Sequence, residues 1–407
     1  MTGYLPREIS RILVGALRHL PVVVVSGLRQ CGKSTLLLRD RAFSKRAYHT
    51  LDDFAVMAAA TNDPEDLLRD RIPITFDEVQ RYPELLLAIK RNVDRDRRNG
   101  RFLLTGSANL ALMARVSETL AGRAAYFTLQ PMTRREVRGH TRAKPGLLRV
   151  MDGQSMPAVL AEPVQDDEVL RGGLPPVCLD SGRGTQAWLR GYVQTYVERD
   201  VRQLSQVTDL VSFRMLANLA AMRTSQVLNV SVLARDVKLA STTAARYLDL
   251  LETSFLVRRL PPFLKNRSLR LVKSPKLYFS DSGLAAYLSQ TTSLSPLSAG
   301  SMRGALMETY ALQNISAILE AHRPEAMISY WHEQGRHEVD FVIEEKNKVW
   351  AMEIKAASRW SESDLSGLRA FLARTPQCVA GILAYNGETA VSLGSRIWAV
   401  PLGYLLT

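Results

Sequence analysis

The run Gly27, Leu28, Arg29, Gln30, Cys31, Gly32, Lys33 and Ser34 fills the spacing G-x-x-x-x-G-K-[ST]. A glycine-rich turn lets successive backbone N–H groups point at phosphate oxygens. The start of a helix adds partial positive charge there. Lys33 would reach the β- and γ-phosphates, the Ser34 hydroxyl would ligate Mg2+, and Thr35 would continue the cradle into the helix. This is the chemistry of an ATP- and Mg2+-dependent phosphohydrolase, which needs a second, acidic strand. The segment with Ile72, Ile74 and Phe76 supplies one and closes on Asp77 and Glu78. Asp77 would hold Mg2+ through water, and Glu78 would orient and deprotonate the attacking water.

A second set of chemical groups lies near the other end. Asp340 sits on one apolar run, and Glu353 and Lys355 sit on the next, with Glu353 13 residues after Asp340. Residues two apart on a strand share a face, so Glu353 and Lys355 project together. A tight turn between the runs would bring Asp340 beside them. Glu308, on a preceding helical stretch, would add a third carboxylate. Asp340, Glu353 and Glu308 would bind Mg2+ or Mn2+ through oxygen, with Lys355 positioning water for attack on a phosphodiester. The same constellation also serves a domain that grips nucleic acid without cutting it, and both readings stand.

The elements that must position these groups follow from pattern. Val22 to Val25 form a continuous apolar run, as in a parallel strand buried on both faces. The run Arg101 to Leu104 predicts another strand, ending near Ser107 and Asn109. Either polar residue would sense a γ-phosphate or simply cap the next helix. Arg123 follows a glycine and precedes a strand over residues 125–129. It reads either as a surface arginine or as a cation that a neighbouring subunit inserts beside the γ-phosphate.

These motifs together carry a resemblance. The P-loop, TFDEVQ, LLTGSAN, LAGRAAYFTLQPMT and RGGLPPV occur in this order in a family of bacterial and archaeal AAA+ ATPases. Those proteins end in a domain similar to the PD-(D/E)XK nuclease fold. Cys31 and Ser34 stand where the family usually has a small aliphatic residue and threonine. The resemblance implies a Mg·ATP-hydrolysing motor or switch that forms a homo-oligomeric ring, hexamer- or heptamer-like. It makes Arg123 the arginine finger, and it makes Gly172 to Pro176 the hinge where a helical lid begins.

The middle of the chain is helical, then changes character. Residues 184–207 predict a long amphipathic helix with Trp188, Leu189, Tyr192, Val193, Tyr196 and Val197 on one face. Two short helices capped by Ser231 and Ser241 precede a strand at Phe255, the order of a helix-turn-helix with a wing. Thr242, Thr243 and Arg246 would lie on the exposed face of its second helix. The wing, Leu256 to Lys276, holds no acid and seven bases: Arg258, Arg259, Lys265, Arg267, Arg270, Lys273 and Lys276. Like charges repel, so such a stretch predicts phosphate contact with DNA. The alternative is packing against the ring.

The expected fold class is therefore α/β: a P-loop AAA+ core over residues 1–165, a helical lid over 166–225, a winged helix over 226–290 and a PD-(D/E)XK-like domain over 300–407. A length of 407 residues fits that count of domains. A net charge of +13 points to a polyanionic partner, DNA first, or to a basic surface with no special partner. Three scattered cysteines, Cys31, Cys178 and Cys378, give neither a disulfide framework nor a metal-ligand spacing, and suggest a reducing cytoplasm. The first residues lack a signal-peptide core, and no apolar run spans a bilayer, so no membrane partner is expected. Lys33→Ala should abolish ATP turnover, as measured by phosphate release; normal turnover would overturn the phosphate-site assignment.

Overall fold

The computed structural model describes residues 3–69, 72–107, 120–154, 160–180, 184–195, 209–264, 266, 270, 273–295, 300, 302–333, 336–394 and 396–407. Contacts divide the chain into two units. The first is Met1–Pro131, with the short returns Thr253–Phe255 and Glu320–His322; the second holds the remainder. The break thus falls at Pro131, earlier than residue 165. Among the described residues no helix is long and apolar enough to cross a membrane.

The first unit is built on five parallel strands: β1 (Val22–Ser26), β2 (Ala47–Thr50), β3 (Ile74–Asp77), β4 (Phe102–Gly106) and β5 (Ala124–Thr128). Their order across the sheet is β2-β3-β4-β1-β5. Every residue of β1 and β4 is buried, as their apolar runs require for strands covered on both faces. β2 and β5 are edge strands and only partly buried. Ile72 falls outside β3 and is exposed, so the acidic strand starts two residues later than its alternation suggests. Helix Leu85–Arg95 packs on the sheet through Leu85, Leu86, Ile89 and Val93, a three-and-four spacing. Register pairs Ser26 with Gly106 and Thr50 with Asp77, so the carboxyl ends of β1 to β4 share one edge. In open parallel sheets that edge is where ligands bind.

The second unit carries two sheets. One is antiparallel, in the order β6-β8-β7: β6 (Gln226–Val227), β7 (Val257–Leu260) and β8 (Lys276–Phe279). Helices Leu210–Met222, Val230–Asp236 and Ser241–Thr253 surround it in sequence. The first of the short pair is capped by the Asn229 side chain, which accepts from Val232 N–H at 3.1 Å, not by Ser231. The other sheet has six strands in the order β13-β14-β12-β11-β10-β9: β9 (Met327–Glu333), β10 (His337–Glu345), β11 (Lys348–Lys355), β12 (Cys378–Tyr385), β13 (Val391–Ser392) and β14 (Ile397–Pro401). β9, β10 and β11 are antiparallel; β12 joins β11 in parallel after the crossover helix Ser366–Arg374. Helix Met302–His322 precedes them. Pro261 to Phe263 lie along β9: Tyr330 N–H donates to Pro261 C=O at 3.0 Å, and Phe263 joins the core of the six-stranded domain.

The expected long helix begins as Thr185–Tyr192; Tyr196 and Val197 lie outside the described residues. The expected hinge at Gly172 is a close-packed joint. Gly172 has a φ of 68°, and a Cβ there would meet the Asp281 carboxylate at 2.4 Å. Asp281 accepts from Gly173 N–H at 2.7 Å and caps helix Ser282–Leu288 through Leu284 N–H at 2.8 Å. Burial pushes its carboxyl up to about 6, against the pull of those backbone donors. A raised carboxyl pKa means the native state binds this proton more tightly than the unfolded chain. The group's contribution to stability therefore falls as pH rises from about 4 to about 6. Asp281→Ala should destabilise the second unit by about 2–4 kcal/mol in urea unfolding, through a lost cap and orphaned buried N–H groups. The gap between wild type and variant should narrow across that pH window.

Candidate active site

The phosphate loop links β1 to helix Lys33–Arg39. It needs its glycines for physical reasons. A Cβ on Gly27 would sit 2.3 Å from the Leu129 carbonyl oxygen, and Gly32 has a φ of 98°. Gln30 also takes a positive φ, of 64°. Arg7 braces the loop by donating to the carbonyls of Cys31 at 2.8 Å and Gln130 at 2.7 Å. Cys31 is buried, with its Sγ 3.4 Å from the Leu129 carbonyl oxygen. Leu28 is buried as well, while Arg29 and Thr35 lie nearer the surface. The Lys33 ammonium is only 5% exposed and donates to the carbonyls of Gly27 at 2.9 Å and Leu28 at 3.1 Å. An ammonium has three donors, so one remains for a phosphate.

Asp77 is the hub of the site and is 2% exposed. One of its oxygens accepts from Ser34 Oγ at 2.6 Å and from the Tyr48 phenol. The other accepts from Thr105 Oγ1 and from Glu78 N–H at 3.0 Å. Burial, and then the Asp77 contact, push the Tyr48 phenol well above its ordinary range, so it stays a donor. Glu78 takes a left-handed φ of 58°, uncommon outside glycine. Its carboxylate accepts from Ser107 Oγ at 3.1 Å and from the Gln80 amide, which also donates to Ser107 at 3.0 Å. Ser107 is thus joined to Glu78; Asn109 lies outside the described residues. These residues suit Mg·ATP. The Ser34 hydroxyl, while donating to Asp77, keeps lone pairs for a cation, and the buried Asp77 supplies the charge. Bound Mg2+ would draw off charge from the β- and γ-phosphates.

Tyr48, Gln80 and Thr105 were not anticipated. Thr105 was findable, because a polar residue at the end of a buried apolar strand needs a partner. Tyr48 and Gln80 gave no such signal.

The sequence profile of an AAA domain matches residues 19–138. Two profiles described as domains of unknown function, DUF8612 and DUF4143, match residues 164–295 and 303–405. The uncharacterized protein Rv2008c of Mycobacterium tuberculosis is 33% identical over 405 residues, covering 98% of this chain and 84% of its own length. Mb2031c of Mycobacterium bovis matches to the same extent. This chain belongs to the family of those mycobacterial proteins. An uncharacterized Haemophilus influenzae protein is 22% identical over 287 residues, 65% of this chain and 68% of its own length. Among solved structures, the Walker-type ATPase PABY2304 of Pyrococcus abyssi is similar at a TM-score of 0.46 and 17% identity, over 71% of this chain and 98% of that one. The Holliday junction branch migration motor RuvB of Thermotoga maritima is similar at a TM-score of 0.29 and 16% identity, over 65% of this chain and 92% of that one. In this family member, then, the first unit is an AAA-type P-loop ATPase domain.

Arg123 lies at the other edge of the sheet. Val22 N–H, at the start of β1, donates to the Arg123 carbonyl at 3.3 Å, whereas the phosphate loop leaves the far end of that strand. Its guanidinium holds Asp94 at 2.6 and 3.0 Å and the Ala121 carbonyl at 2.9 Å.

The expected DNA contacts fare unevenly. Thr242 and Arg246 are exposed and Thr243 partly so. The wing corrects the charge argument, because much of its basic run is spent internally. Arg258 donates to Ser316 at 2.6 Å, and Arg259 pairs with Asp249 at 2.7 Å and Glu252 at 3.5 Å. Arg270 forks onto Glu344 and stacks over Phe263, 9% exposed. Lys276 is buried among carboxylates. Lys273 is exposed; Lys265 and Arg267 lie outside the described residues. The acids that neutralise the run come from other stretches, so its local composition did not reveal them.

The four C-terminal residues do come together. Asp340 lies one residue before the Phe341–Met352 pair of β10 and β11, and its carboxylate accepts from Ile354 N–H at 2.9 Å. Glu353 pairs with Lys355 at 3.2 Å, and Lys355 reaches Asp364 at 3.4 Å. Burial, and then Asp340, raise both Glu308 and Glu353. As they stand the residues do not fit the expected metal: among the described residues no three His, Cys, Asp or Glu side chains are placed to hold one. The Lys276 ammonium stands between Glu308 and Asp340 instead, at 3.2 and 3.3 Å.

Glu78→Gln should bind ATP normally and hydrolyse it about 100-fold more slowly, in single-turnover assays. Thr105→Val should weaken the Mg2+ dependence of turnover and cost about 1–2 kcal/mol of stability, because a donor to a buried carboxylate is lost.

Proposed function

We propose that the chain is a Mg2+-dependent ATP-hydrolysing AAA+ protein that works as a homo-oligomeric ring and couples turnover to a grip on DNA. Lys33, Ser34, Asp77 and Glu78 act within one copy, and Arg123 acts on the site of the next. The observation that carries the shared site is the separation of Arg123 from its own phosphate loop. A five-residue strand spans roughly 16 Å, so Arg123 cannot serve the loop of its own chain. Its attachment to Asp94 is at the surface and exchangeable. A phosphate presented by a neighbouring copy offers it a stronger, charge-assisted partner.

The DNA part of the reading rests on the second unit. Helices Val230–Asp236 and Ser241–Thr253 followed by the β7–β8 hairpin form a winged-helix arrangement, with Thr242 and Arg246 on its open face. Contacts from that face and from Lys273 would be to phosphate and carry little sequence information. The helix with Glu308, β10 with Asp340 and β11 with Glu353 and Lys355 have the order of a PD-(D/E)XK-like domain. It serves as a binding platform.

Two measurements test this. Arg123→Ala and Lys33→Ala proteins should each be nearly inactive, yet regain ATPase activity when mixed; no recovery would overturn the shared site. ATPase rate and binding should respond to single-stranded, duplex or branched DNA, and fall steeply with salt. Indifference to every DNA would overturn the DNA reading and point to a protein-binding switch.

A further inference from the structure

The second unit buries a lysine on the middle strand of a sheet. Lys276 opens β8, all four residues of which are buried, and its side chain is 3% exposed. The ammonium contacts Glu308 at 3.2 Å, Asp340 at 3.3 Å and, closer still, Glu338. Burial alone would make the ammonium easier to deprotonate; the attraction of Glu308, Asp340 and Glu338 outweighs it. Two residues on, and so on the same face of β8, Tyr278 donates to the same Glu308 oxygen. Nearby, Oε2 of Glu353 is buried without a hydrogen-bond partner.

We propose that Lys276 is the resident cation of this carboxylate cluster and keeps a latent divalent-metal site closed. Three N–H donors meet three carboxylates, one each, so the ammonium satisfies the cluster by geometry as well as by charge. A divalent ion would need the same oxygens drawn in to about 2.0–2.6 Å around one centre, and the ammonium occupies that centre. Lys276 is delivered by framework and not by a loop: its strand is laddered to β6 through Val227 and to β7 through Leu260. The domain therefore carries the carboxylates of a metal site while being wired against metal. Removing the ammonium leaves three carboxylates facing one another, an arrangement that a divalent ion relieves. This inference is independent of the ATPase and DNA readings.

The test is Mn2+ binding to the full chain without nucleotide, followed by the electron paramagnetic resonance signal of free Mn2+, together with thermal melting. Four proteins are compared: wild type, Asp340→Ala, Lys276→Met and the double variant. Wild type and Asp340→Ala should bind Mn2+ identically. Lys276→Met should gain one Mn2+ per chain, and its melting temperature should rise with Mn2+ as for any ligand that binds only the folded state. The double variant should lose both effects. Mn2+ bound to wild type and lost in Asp340→Ala would overturn the proposal, and that comparison does not require Lys276→Met to fold. So would a folded Lys276→Met protein whose melting and stoichiometry Mn2+ leaves unchanged.

Discussion

A buried carboxylate must be surrounded by donors, or it will not stay ionised inside a protein. Asp77 meets that demand with donors from four places in the chain: the start of the phosphate-loop helix, β2, β4 and the peptide that follows it. Each donor fixes one element against the carboxyl edge of the first sheet. The nucleotide site is therefore held in shape by its own acid, and little reorganisation remains for the moment of reaction. Glu78 is set by the same device at one remove, through Ser107 and Gln80.

The second unit obeys the same constraint with the signs mixed. The Arg134 side chain, almost wholly buried, donates to Glu168 at 2.8 Å and to the carbonyls of Gly403, Glu162 and Pro163 at 2.9 to 3.1 Å. It ties the beginning of the unit to its end. Asp281 does so for the Gly172–Gly173 turn, and Lys276 for two sheets at once. Breaking any one of these would strand a charge in the interior, which costs far more than a surface pair.

What could be read from the sequence was whatever is local. Val22 to Ser34 declare strand, loop and helix in one stretch, and Asp77–Glu78 ends a short apolar run. The β9–β10–β11 meander was legible because alternation and turn signals repeat within thirty residues. Long-range partners were not legible. Nothing near Tyr48 announces Asp77, and Arg270 and Lys276 looked outward because Glu344, Glu308 and Asp340 lie far along the chain. One clue was available in Lys276 itself: a lysine at the head of a short apolar strand, when that strand is buried, calls for an acid in contact. The partners of the stretch after β5 were equally hidden: Met132 N–H donates to Gly173, and Arg134 reaches Gly403.

The seating of Pro261 to Phe263 along β9 has a consequence for how this protein can be taken apart. An uncovered edge strand invites pairing with other chains, and here the cover comes from before the linker. The stretch that one would recognise as the last domain thus depends on its predecessor three times over, for its edge, for Phe263 in its core and for the counter-charge of its carboxylates. Homology marks two modules in this region, but physically they are one inheritance. An ancestor that exchanged the C-terminal module alone would have had to rebuild an edge, a core and a charge balance in a single step.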